Sequence, residues 1–265
     1  MSDVVLYSYN ISPYAAKVRA ALTYKGIPFR EEIVHPLKRK VLKQKSGQLL
    51  VPVLEHDGRV VHDSTRILAY LDEAFKDKPI FPADPVQRGM VKLLEEWADE
   101  GLRTVVQPVR LLIPMNFERT SAAFRSAYPA GRANDLACAA AMRVTKMKYS
   151  RKTGGGNPAK YLNRLAEVLD YTDAAIGASG FLVGDHATAA DLGLAAWISL
   201  LRGLDGWETV RVRRKVTKLA KTLIPDGEDE GKKTETVSKD KEAFDSETQA
   251  IIDASRLRRA SKGTL

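Results

Sequence analysis

Cysteine is almost absent from the chain: Cys138 is the single one in 265 residues. That excludes an internal disulfide and any Cys-x-x-Cys redox couple. The four histidines, His35, His56, His62 and His186, stand at no metal-ligand spacing, so no metal is expected. Nor is any of them placed for a Ser–His pair, and there is no Gly-x-Ser-x-Gly elbow. Long apolar runs are missing too. None approaches the roughly 18 residues of a spanning helix, so no membrane span is expected. The start, Met1-Ser2-Asp3, lacks the basic region and apolar core of a secretion signal. The expected compartment is a reducing cytoplasm.

Apolar residues make up 44% and charged residues 28% of the chain, enough to build one large domain or two modest ones. The net charge of +9 is unevenly placed. Residues 226–265 hold 8 basic and 10 acidic residues, which leaves 34 basic against 23 acidic in residues 1–225. Three acid-free stretches, Pro36–Lys45, Arg143–Lys160 and Arg211–Lys221, carry 5, 6 and 6 of those bases. They read either as solvated helix faces or as an anion-attracting surface.

The first third alternates strand and helix signals. Val4 to Tyr9 is β-branched and aromatic. Asn10-Ile11-Ser12-Pro13 breaks it, with Ser12 in a cap position and Pro13 in a first helical turn. A helix to Tyr24 then ends at Gly26. Ile27 to Val34 reads as a second strand, and Lys38 to Lys45 as a short basic helix or loop. Val51 to Glu55 and Arg59 to Val61 flank an Asp57-Gly58 hairpin turn. Asp63-Ser64 then caps a helix with Ile67, Leu68 and Leu71 on its apolar side. The rest is helical. Pro108 is expected to kink or break a helix, and breaks are expected near Pro129–Gly131 and Gly154–Pro158. Thr188 and Asp191 form a capping pair ahead of an apolar helix.

Several of these residues resemble one family. Leu6-Tyr7-Ser8-Tyr9, then Ser12-Pro13-Tyr14 at a helix start, Val51-Pro52 before a strand and Asp63-Ser64 opening a helix are similar to the cytosolic glutathione transferases. Ser12-Pro13-Tyr14 is similar to the Ser-Pro-Phe start of the tau class, and Leu6–Tyr9 with Val18-Arg19 to the zeta class. Phe181 to Asp185 and Thr188 to Asp191 resemble the structural core of that family's helical domain. The likeness spans about residues 4–204. It implies an α/β thioredoxin-like N-terminal domain followed by an all-α C-terminal domain. Residues 1–77 would form the glutathione-binding domain, 78–84 a linker and 85–225 the helical domain. The charged tail, 226–265, is expected to be flexible, with a short helix over 249–260.

The resemblance also assigns roles. Ser12 would donate to the glutathione thiolate. Pro52 would be cis and present the Val51 backbone to the cysteinyl part of glutathione, while Asp63 and Ser64 would hold its γ-glutamyl end. Capping alone explains Ser12, Asp63 and Ser64 equally well as sequence. Many relatives place a lysine just before the Val-Pro pair; here stand Gln48-Leu49-Leu50, with Lys38, Arg39 or Gln48 as the substitutes. The expected co-substrate is a small hydrophobic electrophile, with a wall around Trp97, Leu111, Met115 and Phe117, and the expected assembly is a homodimer. Tyr7, Tyr9, Cys138, Trp97, Trp197 and Trp207 read as packing residues. A second reading makes the chain a non-catalytic binding module of the same fold, whose basic surface takes an acidic protein or nucleic acid.

Overall fold

A computed structural model describes residues 3–153 and 157–225. Strand β1 (Val4–Ser8) leads into helix α1 (Pro13–Lys25), strand β2 (Arg30–Ile33) and the short helix α2 (Lys40–Ser46). Strands β3 (Val53–His56) and β4 (Arg59–His62) form a hairpin before helix α3 (Ser64–Ala74). The sheet order is β2-β1-β3-β4, with β1 parallel to β2 and antiparallel to β3. A βαβ crossover followed by a ββα unit in that order is the thioredoxin-like arrangement. The helix α1 has sharp ends: Ser12 caps it, Pro13 starts it and Gly26, at φ 70°, closes it in the left-handed conformation.

Alternation along the strands sorts the core into two layers. Leu6 and Leu54 face α1 and α3, packing with Val18, Leu22, Ile67, Leu68 and Leu71. Val5, Tyr7 and Val53 face α2, where Leu42 is buried. Two strands are shorter than the sequence suggests. The β2 ladder starts at Arg30, not Ile27, since Pro28 offers no N–H. The β3 ladder starts at Val53, where Val51 was expected, because the Val51–Pro52 peptide is cis and Pro52 has no donor.

Beyond α3, Ile80 and Phe81 are buried, and the Ile80 carbonyl accepts from the Ala189 amide at 2.9 Å. Helices follow: α4 (Pro85–Trp97), α5 (Arg103–Leu112), α6 (Pro114–Ser126), α7 (Arg132–Thr153), α8 (Pro158–Ala175), α9 (Ala189–Ser199), α10 (Trp207–Arg211) and α11 (Arg214–Leu223). A π-helical turn, Ala98–Leu102, joins α4 directly to α5. Pro108 does not end α5: it lies buried inside it, and the break comes at Ile113 ahead of Pro114. The last basic stretch runs from Arg211, the final residue of α10, into α11. In α11, Val216, Leu219, Ala220 and Leu223 point inward, so Arg214, Lys218 and Lys221 form a solvated face.

The central helix α9 is buried from Ala189 to Ile198. Asp191 secures its start, accepting from the Thr188 amide at 2.9 Å, the Thr188 hydroxyl at 2.7 Å and the Leu182 amide at 2.8 Å. Three donors fix a carboxyl that burial alone would drive toward the neutral form. The expectations for residues 226–265 fall outside the described residues. No helix among the described residues is long and apolar enough to cross a membrane.

Candidate active site

The strand register gathers three loops at one end of the sheet. Tyr7 pairs with Val53, and Val53 pairs with His62. The end of β1 that leads to Ser12, the start of β3 preceded by Val51-Pro52, and the end of β4 that leads to Asp63-Ser64 therefore lie side by side. Two helix N-termini open there, those of α1 and α3, and both carry the partial positive charge of unpaired amides.

Ser12 is half-buried, and its Oγ accepts from the Ala15 amide at 3.2 Å. Its backbone amide donates to Tyr9 O at 3.1 Å. An accepting hydroxyl still has its own proton to donate, so capping and thiolate binding are compatible at this residue. Asp63 caps α3 in the same way, its Oδ1 accepting from the Arg66 amide at 3.1 Å. Its φ of 73° is unusual for a non-glycine residue, while its side chain stays exposed. Ser64, the first residue of α3, is buried.

Where relatives carry a lysine, Leu50 is exposed. The nearby cation is Arg39, whose guanidinium donates twice to the Leu49 carbonyl, at 2.7 and 3.2 Å, and whose charge reaches the Tyr9 phenol. Lys38 points to solvent and lines a separate cavity of about 510 Å³ with Tyr7, His35, Tyr128 and Asn134. That cavity is edged by β2 and the α6–α7 turn, and its lining includes none of Ser12, Pro52 and Asp63.

Tyr7 and Tyr9 pack as expected. Tyr7 is buried and donates to Glu55 at 3.0 Å, and Tyr9 meets Phe124 edge-on with ring centres 5.8 Å apart. Cys138 is buried beside Leu111 and Met142, and burial pushes its thiol up. Trp197 is buried, but Trp97 is 36% exposed, so it does not serve as packing alone.

Of the expected wall, Leu111 and Phe117 belong to one cluster with Tyr9 and Ile11 of the β1–α1 loop, and the Phe117 ring is covered by Lys146 Nζ at 4.4 Å. Beside it lies the polar face of α5. Arg103, Gln107 and Arg110 are spaced i, i+4, i+7 along it. Arg110 Nη2 donates to the Ile11 carbonyl at 3.1 Å, one residue before Ser12. Tyr149 from α7 approaches Arg103 and Arg110, although burial raises its phenol against their pull. Tyr14 OH donates to the Asp99 carbonyl at 3.3 Å, within the π-helical turn.

Behind this wall lies a buried cluster that the sequence reading missed. Lys17 of α1 pairs with Glu95 and, at 2.6 Å, with Asp99. Thr65 of α3 donates to Glu95 at 2.8 Å. Burial pushes the Asp99 carboxyl up to about 6, against the pull of Lys17. The available signal was a charged residue among apolar neighbours: Lys17 in Ala-Ala-Lys-Val and Arg110 in Pro-Val-Arg-Leu-Leu.

Comparison with known proteins finds likeness to the glutathione transferases. Residues 6–79 match the family described as glutathione S-transferase, N-terminal domain. The chain is 31% identical over 109 residues to glutathione S-transferase U7 of Arabidopsis thaliana, covering 40% of this chain and 48% of that one. To glutathione S-transferase U22 of the same plant it is 34% identical over 103 residues, covering 38% and 47%. The chain thus spans about half the length of the curated relatives it matches. Among solved structures, a glutathione S-transferase from Rhodospirillum rubrum superposes with TM-score 0.59 at 22% identity, covering 89% of this chain and 94% of that one. Rice GST1 in complex with glutathione gives TM-score 0.55 at 19% identity, covering 83% and 86%. The chain thus carries a match to the glutathione S-transferase N-terminal domain over residues 6–79, and its fold, a thioredoxin-like domain followed by a helical region, is similar to that of the glutathione transferase structures.

Proposed function

We propose that the chain is a glutathione transferase: it binds glutathione at the shared end of the sheet and directs its thiolate, held by Ser12, at a small electrophile. The observation that carries this reading is the register-enforced juxtaposition of Ser12, Val51-Pro52 and Asp63-Ser64. The Val51 backbone precedes the ladder and is placed for a short strand-like pairing with the cysteinyl unit. The Asp63 carboxylate suits the γ-glutamyl ammonium, and the α3 N-terminus with Ser64 suits its carboxylate. Arg39 is the cation for the glycyl end.

The magnitudes suffice. A free thiol has a pKa of roughly 8.5, and lowering it by two units takes about 2.7 kcal/mol. One hydrogen bond to a charged group supplies about 1.5–3 kcal/mol, and the helix N-terminus about 0.3–1 kcal/mol more. Glutathione brings the nucleophile, and the protein stabilises its ionised form. With serine and not cysteine at this position, the reading excludes a mixed disulfide with residue 12.

Calorimetric titration with reduced glutathione tests the site. Wild type is expected to bind, Asp63→Ala to lose most of the affinity, and Ser12→Ala to bind while leaving the thiol largely protonated. No heat at millimolar glutathione overturns the reading and favours the binding module with its basic surface.

The same reading includes a homodimer in a cytoplasmic setting. Val86, Met90, Leu93 and Trp97 recur along one face of α4 and are 78%, 48%, 69% and 36% exposed. Such a contiguous apolar stripe marks an interaction surface. Leu93→Lys is expected to convert dimer to monomer in light-scattering chromatography; a wild-type monomer at all concentrations removes the assignment.

A further inference from the structure

Arg110 is 3% exposed, yet among the described residues no carboxylate pairs with it. The titratable neighbour that acts on it is the Tyr149 phenol, itself held neutral by burial. Its partners are neutral. Nη1 donates to Gln107 Oε1 at 3.2 Å and Nη2 to Ile11 O at 3.1 Å, while Nε is buried without an acceptor. Burying a guanidinium without a counter-charge is costly, and an anion brought to it would relieve that cost. The point of contact identifies where. Ile11 immediately precedes Ser12, and the Ile11 carbonyl belongs to the turn that orients the Ser12 hydroxyl.

We propose that Arg110 is a positioning residue for the thiolate: it fixes the Ile11–Ser12 turn and supplies, from behind that turn, the positive charge for which the sulfur anion of bound glutathione is the missing counter-ion. This rests on the glutathione reading above and adds to it a group from the helical region. Ser12 and the α1 N-terminus contribute a hydrogen bond and a partial charge. Arg110 contributes a full charge through a poorly screened interior, where an unpaired ion acts over several ångströms. The guanidinium has no need to touch the sulfur. The arrangement also accounts for the all-neutral partners, since an acid bound to Arg110 would cancel the field that the thiolate needs.

The test measures the thiol pKa of bound glutathione from its thiolate ultraviolet absorbance, with glutathione binding followed separately by calorimetry. Arg110→Gln keeps a donor for the Ile11 carbonyl and removes the charge. It is expected to bind glutathione but to raise the bound thiol's pKa by about one unit, a tenfold loss of thiolate below that pKa. Arg110→Lys keeps the charge and is expected to stay close to wild type. An unchanged thiol pKa in Arg110→Gln, or an equal rise in Arg110→Lys, overturns the proposal while leaving the glutathione site standing. Absence of binding by wild type overturns the glutathione reading itself. If Arg110→Gln does not fold, Arg110→Met carries the same measurement, with the same result expected.

Discussion

Lys17 and Arg110 are both buried cations where the thioredoxin-like domain meets the helices, but Lys17 meets two carboxylates and Arg110, among the described residues, meets none. The Lys17 cluster ties α1 to the end of α4 and the π-helical turn, and Thr65 brings in α3. It is complete as it stands. Among the described residues Arg110 bonds to neutral groups, and it sits beside the turn at which the thiolate is expected.

That contrast can be broken by mutation, and the largest effect should fall on the compensated side. Lys17→Met strands Glu95 and Asp99 in the interior and is expected to destabilise by about 3–5 kcal/mol in denaturant melts. A loss below about 1 kcal/mol would show that the cluster does not hold the junction. Asp99→Asn probes the same cluster through pH. The Asp99 carboxyl sits at about 6 in the fold, above the ordinary value of roughly 3.9 in the unfolded chain. The native state therefore holds the proton more tightly, and the resulting stability is present at low pH and lost as pH rises through about 6. Relative to Asp99→Asn, wild type should lose roughly 2 kcal/mol between pH 4.5 and 7.5. A constant difference across that window would place the Asp99 pKa near its ordinary value. The smallest effect is expected at Arg110. Replacing it by Met removes an uncompensated charge, so stability should change by about 1 kcal/mol or less, or rise. A loss of several kcal/mol would put Arg110 with Lys17 as a structural cation.

The same two residues show what the sequence could and could not convey. Turn chemistry was legible: Ser12-Pro13, Gly26, Asp57-Gly58 and Asp63-Ser64 mark boundaries because each satisfies a local backbone requirement. The order β-α-β-β-α followed from those boundaries, and with it the residues that meet at one end of the sheet. Partnered burial was not legible. Periodicity counts Lys17 and Arg110 as polar and assigns them to solvent, because their partners lie 78 and 99 positions away. Trp97 was misjudged for the converse reason: aromaticity suggests a core, while its exposure is fixed by which face of α4 stays uncovered. Pro108 reads as a kink or a break; the helix does not break there and stops at the extended Ile113.

The π-helical turn between α4 and α5 has a further consequence. It accommodates one residue more than an α-helical turn would, and one residue of α-helix corresponds to about 100° of rotation. Ala98–Leu102 thus acts as a change of phase in an otherwise continuous rod. Before it, the rod presents Val86, Met90 and Leu93 outward; after it, Arg103, Gln107 and Arg110 toward α1. The Trp97 ring lies over Gly101, where a Cβ would meet it at 2.8 Å. Removing one residue from the turn would carry the arginine face about 100° away from Ile11. A single inserted position thereby gives one rod two separately aimed surfaces.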